Sequence, residues 1–150
     1  AEYRARIMRM CAKTHLLKLS DEDLEALSPD LGQEAAITSL REKTSAHVVV
    51  LTRGGGGTSA FMGDDRIDMP AEKLSQLADT VGAGDTFSAA LLAGLAENGA
   101  LSPSGLTRLT RDGLCSLLQR ASIAAALNCT RAGCNPPTRA ELEAALHLKA

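Results

Sequence analysis

The run His47-Val48-Val49-Val50-Leu51 constrains this chain more than any other stretch. It is apolar and rich in β-branched residues, and it is too short for a helix. A strand of that composition is covered on both faces, because a half-exposed strand would alternate with polar residues. Thr52, Arg53 and the glycines at 54–57 follow it directly. Most of the remaining periodicity is helical, and helices alternating with buried strands specify an α/β layered fold.

Tyr3, Ile7, Met10 and Cys11 share one face of a helix expected over residues 2–12, and residues 15–19 read as a short strand. Ser20 with Asp23 three residues later forms a capping-box variant that opens the next helix. Another helix is expected over residues 33–44, with Ala36, Ile37 and Leu40 turned inward. Strands at 58–62 and 65–69, turning at Gly63-Asp64, make a hairpin at the margin of the sheet. Residues 83–98 are apolar nearly all round and stop at Gly99, which predicts a deeply buried helix. A second long helix is expected to end near Asn128. Thr138 and Glu141 then cap a terminal helix behind Pro136-Pro137. No internal repeat, low-complexity tract or linker stands out.

At 150 residues one domain is the default. Aromatic residues are only 2% of the chain, so Leu, Val, Ile and Ala must fill its core through close helix packing. The formal charge is −2 and neither sign forms a run, which argues against a nucleic-acid partner. Tyr3, Phe61 and Phe87 are too scattered to make a base-stacking platform. Cys11, Cys115, Cys129 and Cys134 form no C-x-x-C pair, and His15, His47 and His147 are isolated. No thiolate metal site is expected, and the cysteines read as small buried apolar residues. With no signal peptide and no apolar run near about 18 residues, a cytoplasmic protein with reduced thiols and no membrane partner is expected.

The chemistry concentrates in Asp79-Thr80-Val81-Gly82-Ala83-Gly84-Asp85-Thr86-Phe87. A Gly-Ala-Gly turn lets the backbone approach a ligand and aims the amides of Gly82, Ala83 and Gly84 at one point, beside the positive end of the following helix. That is an expected anion hole. Asp85, in the first turn, could take the proton of an attacking hydroxyl; it could equally be a helix cap beside a tight packing turn. A Walker loop is excluded because no Gly-Lys occurs in the chain. Gly55, Gly57 and Ala60 mimic a dinucleotide fingerprint but run into strand-like residues instead of a helix.

Residues 79–87 resemble the second signature of the ribokinase-like (PfkB) carbohydrate kinases, in which the last Asp is the catalytic base and the glycine amides hold the transferred phosphoryl group. Thr52 through Gly57 resembles the family's Thr-x-Gly-x-x-Gly nucleotide loop, with Arg53 at a usually apolar position and expected to face water. Lys18-x-Ser20-x-x-Asp23 resembles the family's Lys-x-Asn-x-x-Glu segment near the metal and phosphates, although a helix cap alone explains Ser20 and Asp23. Residues 124–133, followed by Pro136, are similar to the helix and loop that close over adenine in fructokinase-type members. Asn128 would meet the edge of the base, or would simply end a helix.

The resemblance implies the C-terminal half of a ribokinase-like α/β/α fold, with residues 1–150 forming the ATP-binding portion and the sugar-binding and lid half absent. It implies ATP-dependent phosphorylation of a sugar hydroxyl, fructose first, with 2-keto-3-deoxygluconate, ribose and nucleosides as alternatives. Asp85 would be catalytic. Lys18, Thr52, Gly54, Gly57 and Asn128 would bind ATP, and Asp23 would reach Mg²⁺ through water. Asp79 and the carbonyls of Val81 and the 131–133 loop would hold K⁺. A homodimer is open for the full-length protein, and this portion alone is expected to be inactive. The rival from another class is a nucleotide-binding module without catalysis.

Overall fold

The apolar run is strand β2 (Val48–Thr52), shifted one residue along from the expected span, and Val48 to Leu51 are each no more than 2% exposed. The computed structural model describes residues 2–148. The chain divides between Asp68 and Met69 into two compact units.

In the first unit, α1 (Glu2–Cys11) leads to β1 (Leu16–Ser20), α2 (Asp21–Leu27), α3 (Gln33–Lys43), β2, β3 (Thr58–Met62) and β4 (Asp65–Met69). The four strands form one sheet in the order β1-β2-β3-β4. β1 runs parallel to β2 with Ser20 beside Thr52, and β3 returns antiparallel with Phe61 opposite Val49. The parallel pair is joined through α2 and α3, as parallel strands require. Alternation sends Val49, Leu51, Leu19 and Phe61 into one core with Leu24, Ala36, Ile37, Leu40 and Cys11 from the helices. The Phe61 ring also takes two guanidinium groups, Arg41 at 4.7 Å and Arg66 at 5.5 Å from its centroid. The hairpin turns at Gly63, whose φ of 56° suits glycine.

Only half of the face expected for α1 packs. Tyr3 and Met10 are 73% and 60% exposed, whereas Ile7, Met8 and Cys11 lie against the core. Two large apolar residues on a helix mark its buried face only when a partner surface lies opposite them, and here the partner meets the adjacent stripe.

The second unit holds α4 (Ala83–Glu97), α5 (Pro103–Leu106), α6 (Arg111–Cys129) and α7 (Arg139–His147). α4 and α6 lie so close that a methyl group at Gly94 would stand 2.5 Å from Leu117 Cδ2. Ile123, Ala124 and Leu142 join α6 to α7, and Arg120 on α6 reaches Glu143 on α7 at 2.7 Å and Glu97 on α4 at 3.5 Å. Arg139 also pairs with Glu97. Short α5 was not anticipated, although Ser102 as cap and Pro103 at the first position are its signals.

α4 is not buried all round. Phe87, Leu91, Gly94 and Leu95 are buried, while Ala89, Leu92, Ala93 and Ala96 are exposed, Leu92 at 45%. Alanine is the best helix former and leaves little apolar surface, so its abundance here reflects helix propensity as much as burial. Among the described residues, no helix is long and apolar enough to cross a membrane.

Gly94→Val should destabilise the chain by about 1–3 kcal/mol through overpacking against Leu117. Gly94→Ala should cost less, because the colliding atom is the free end of a leucine. Urea unfolding of the three chains checks this order, and a Val variant as stable as the parent would refute the close approach.

Candidate active site

The turn before α4 is held through its backbone. Val81 is 57% exposed, so packing does not fix it. Its N–H donates to Asp79 Oδ1 at 3.0 Å and its carbonyl accepts Asn128 Nδ2 at 2.8 Å. Asp79 Oδ2 accepts the Gly133 N–H at 3.0 Å, which ties the turn to the loop after α6. The N–H groups of Val81 and Gly133 hold the Asp79 carboxyl below the usual carboxylate range, with the Val81 donor the larger cause.

Gly82 then caps α4 in the left-handed region at φ 76°, and the Thr86 N–H closes the first helical bond to its carbonyl at 2.8 Å. A Cβ at Gly82 would stand 2.2 Å from Cys134 Sγ. This glycine is therefore required by its conformation and by its neighbour alike. Ala83 donates back to Thr80 O at 3.2 Å, so its amide, expected in the anion hole, already has an acceptor. Among the described residues the amides of Gly82, Gly84 and Asp85 have none, as the first turn of a helix dictates. Asp85 is exposed in that turn, and among the described residues its carboxylate takes no hydrogen bond.

Asn128 is not at an open edge. It is 0% exposed, with Nδ2 given to Val81 and Oδ1 accepting the Asn135 N–H at 2.9 Å. A buried amide must satisfy donor and acceptor at once, and these two partners leave no surface for a base. Asn135, which the sequence reading passed over, completes this arrangement, and the Asn-Pro at 135–136 was the available signal; Cys134 beside it is exposed and Cys115 and Cys129 are half-buried, so of the four cysteines expected in the core only Cys11 is buried.

In the first unit, a second group of residues gathers at the carboxyl ends of the parallel strands β1 and β2, where α/β sheets present ligand crevices. Lys18 is half-buried on β1. Beyond it Ser20 and Asp23 close a capping box, Asp23 N–H to Ser20 Oγ at 3.0 Å and Ser20 N–H to Asp23 Oδ2 at 2.9 Å. The Ser20 amide is the main cause that holds the Asp23 carboxyl below its ordinary range, with smaller contributions from the Ser20 hydroxyl and Lys18. Thr52 ends β2, its hydroxyl 3.4 Å from Leu19 O.

The glycines that follow form a tight helical turn over Gly54–Gly56, with Gly54 at φ 49° and Gly57 at φ 85°. Gly56 donates to Arg53 O at 2.8 Å and Gly57 to Gly54 O at 3.1 Å. Gly57 thus shapes the loop, and the amides without an acceptor among the described residues are those of Gly54 and Gly55. Arg53 does not simply face water. Its Nη1 donates to Ser59 Oγ at 2.8 Å, and the Ser59 hydroxyl in turn donates to Asp68. Ser59 is fully buried, and a buried hydroxyl draws in partners of this kind.

Among the described residues, no group of three or more His, Cys, Asp and Glu could hold a metal ion. Each Asp79 oxygen and the Val81 carbonyl accepts one hydrogen bond and keeps a second lone pair, so they retain acceptor capacity for a monovalent cation.

The sequence matches the pfkB family carbohydrate kinase description over residues 1–141. A fructokinase from Rhizobium leguminosarum bv. trifolii is 37% identical over 110 residues, covering 73% of this chain and 33% of the relative. The structure of a fructokinase with bound ATP from Xylella fastidiosa is similar at a TM-score of 0.83 and 22% identity, covering 97% of this chain and 46% of that one. A fructokinase double mutant from Vibrio cholerae, with fructose, ADP and a potassium ion bound, gives 0.80 and 23%, covering 95% and 44%. These likenesses bear out the ribokinase-like α/β fold. The chain spans between a third and a half of the length of these three relatives.

Gly82→Ala should lose about 1–3 kcal/mol or more from φ strain, with the Cys134 collision added. Cys134→Ala in the same chain should restore only part of that loss, and a double-mutant cycle showing no coupling would refute the contact. Asp79 provides a pH test. Its lowered carboxyl contributes stability that is present above the unfolded value of about 3.9 and is lost as pH falls through the folded value. The Gly133 amide resonance should therefore titrate with a midpoint below about 3.9, and a midpoint at or above it would contradict the pairing.

Proposed function

This chain belongs to the pfkB family of carbohydrate kinases, and from that premise we propose that it is the ATP-binding portion of a kinase that phosphorylates a primary hydroxyl of a small sugar, fructose first. The observation that carries the reading is Asp85. Its carboxylate is exposed and unengaged among the described residues, one helical turn beyond a left-handed glycine cap, beside amides that lack acceptors.

In the proposed reaction Asp85 accepts the hydroxyl proton, the sugar oxygen bonds to the γ-phosphorus, and the bond from that phosphorus to the β–γ bridging oxygen breaks to release ADP. The amides of Gly82 and Gly84, joined by that of Asp85, stabilise charge on the phosphoryl oxygens. Ala83 contributes by holding the turn. Lys18, Thr52 and the loop from Gly54 to Gly57 serve the nucleotide. Mg²⁺ arriving with ATP would neutralise phosphate charge, with Asp23 reaching it through water. Asp79 and the Val81 carbonyl would hold a monovalent cation. Support for ATP, fructose and potassium comes from the kinases with those ligands bound. Fructose in preference to 2-keto-3-deoxygluconate, ribose or a nucleoside is supported by the 37% identical fructokinase. As part of this reading the kinase works in the cytoplasm.

The full-length protein should release ADP from Mg-ATP in the presence of fructose, faster than with the other three acceptors. Asp85→Asn should keep ATP binding while kcat falls by about two to four orders of magnitude, the usual worth of a general base. Parental turnover in the purified variant would remove Asp85 from the mechanism.

A further inference from the structure

Asn128 stands outside the reaction as written, yet it is the most completely enclosed polar side chain at this site. We infer that it is a positioning residue for phosphoryl transfer, acting by fixing the direction of the Gly82 N–H; the inference deepens the kinase reading above and rests on it. The peptide between Val81 and Gly82 is planar and trans, so its carbonyl and its N–H point in opposite directions. Asn128 Nδ2 holds that carbonyl at 2.8 Å. With the carbonyl held, the Gly82 N–H is directed away from Asn128, and it has no acceptor among the described residues.

Among the described residues no other hydrogen bond holds that carbonyl, and the Ala83 N–H to Thr80 O bond closes the turn around the 81–82 peptide without touching it. The Val81 side chain is 57% exposed and contributes little grip. Asp79 secures the preceding peptide through the Val81 N–H, leaving the 81–82 peptide to turn about Val81 unless its own carbonyl is held. Gly82 at φ 76° is a residue that would permit such rotation at little steric cost. Asn128 is itself immobile. It lies near the end of α6, is 0% exposed, and its Oδ1 accepts the Asn135 N–H at 2.9 Å. A carboxamide offers a donor and an acceptor from one flat group whatever the pH. Ionised Asp would keep the bond to Asn135 and lose the one to Val81, and Leu would lose both.

Asn128→Asp in the full-length protein is the direct test. It should still unfold cooperatively, at a midpoint lowered by a fully buried acid that faces the Val81 carbonyl, and its Gly82 N–H resonance should show microsecond-to-millisecond exchange broadening that the parent lacks. Its kcat should fall by about 10- to 100-fold, the scale of a misplaced reacting group, with KM for ATP changed by less than about threefold. An unchanged kcat, or a loss matched by the unfolded fraction or by a rise in KM, would overturn the role. If the variant does not fold, the parental chain decides by NMR: the Asn128 side-chain amide protons should exchange as slowly as buried helix amides and couple to the Val81 carbonyl. Fast exchange there overturns the inference. A parental protein with no sugar-dependent turnover would instead sink the kinase reading, whereas an unchanged kcat in Asn128→Asp sinks only the role of Asn128.

Discussion

A buried strand or helix cannot end without a place for its next N–H and C=O groups, and this requirement shapes every functional segment of the chain. β1 ends in the Ser20–Asp23 box, which satisfies two amides as α2 begins. β2 ends in a glycine turn that closes its own bonds from Gly56 and Gly57. The approach to α4 has no strand or box to use, so Asp79 and Asn128 supply the partners from their side chains. Among the described residues the amides left without acceptors at the glycine turn and at the head of α4 are few: Gly54 and Gly55 in one unit, and Gly82, Gly84 and Asp85 in the other. Anion binding is available where the demand for hydrogen bonds is incompletely met.

Three of the carboxylates act as braces for the backbone, and Asp85 does not. Asp23, Asp79 and Glu141 each accept backbone N–H groups, and those donors hold all three below the usual carboxylate range. Glu141 adds a bond to Arg131 at 2.7 Å, so the loop between α6 and α7 is tied at both ends. Each brace stabilises the fold above its unfolded pKa and weakens as pH falls through the folded one. Asp85 carries no such load among the described residues. A carboxylate spent on backbone donors is poorly placed to receive a substrate proton, and one without them is available to do so.

Much of this was legible in the residues. Capping boxes are local, so Ser20 with Asp23 and Thr138 with Glu141 could be read directly. The hairpin at Gly63 and the covered strand β2 could be read for the same reason, because turn chemistry and apolar runs act over a few residues. The inward face of α1 was read only in part: Ile7 and Cys11 pack, whereas Tyr3 and Met10 are apolar but have no surface opposite them. α4 was read as wholly buried because its alanines resemble core, although they serve helix propensity on an open side. Arg53 was expected in water, but the buried Ser59 that captures it is six residues away across a turn.

By itself the sequence determined the alternation of helices and strands, the caps, the glycine turns and the carboxylate at the head of α4. Those depend on neighbours within a few positions, and local hydrogen bonding and hydrophobic period decide them. Only the tertiary structure decided which groups those residues would meet. Asn128 is 47 positions from Val81, and Gly133 is 54 from Asp79. Nothing in the local pattern distinguishes an asparagine that ends a helix from one that is sealed beneath it. Its burial, and with it the need to satisfy both ends of its amide, arises when α6 and the loop behind it close over the turn at Gly82.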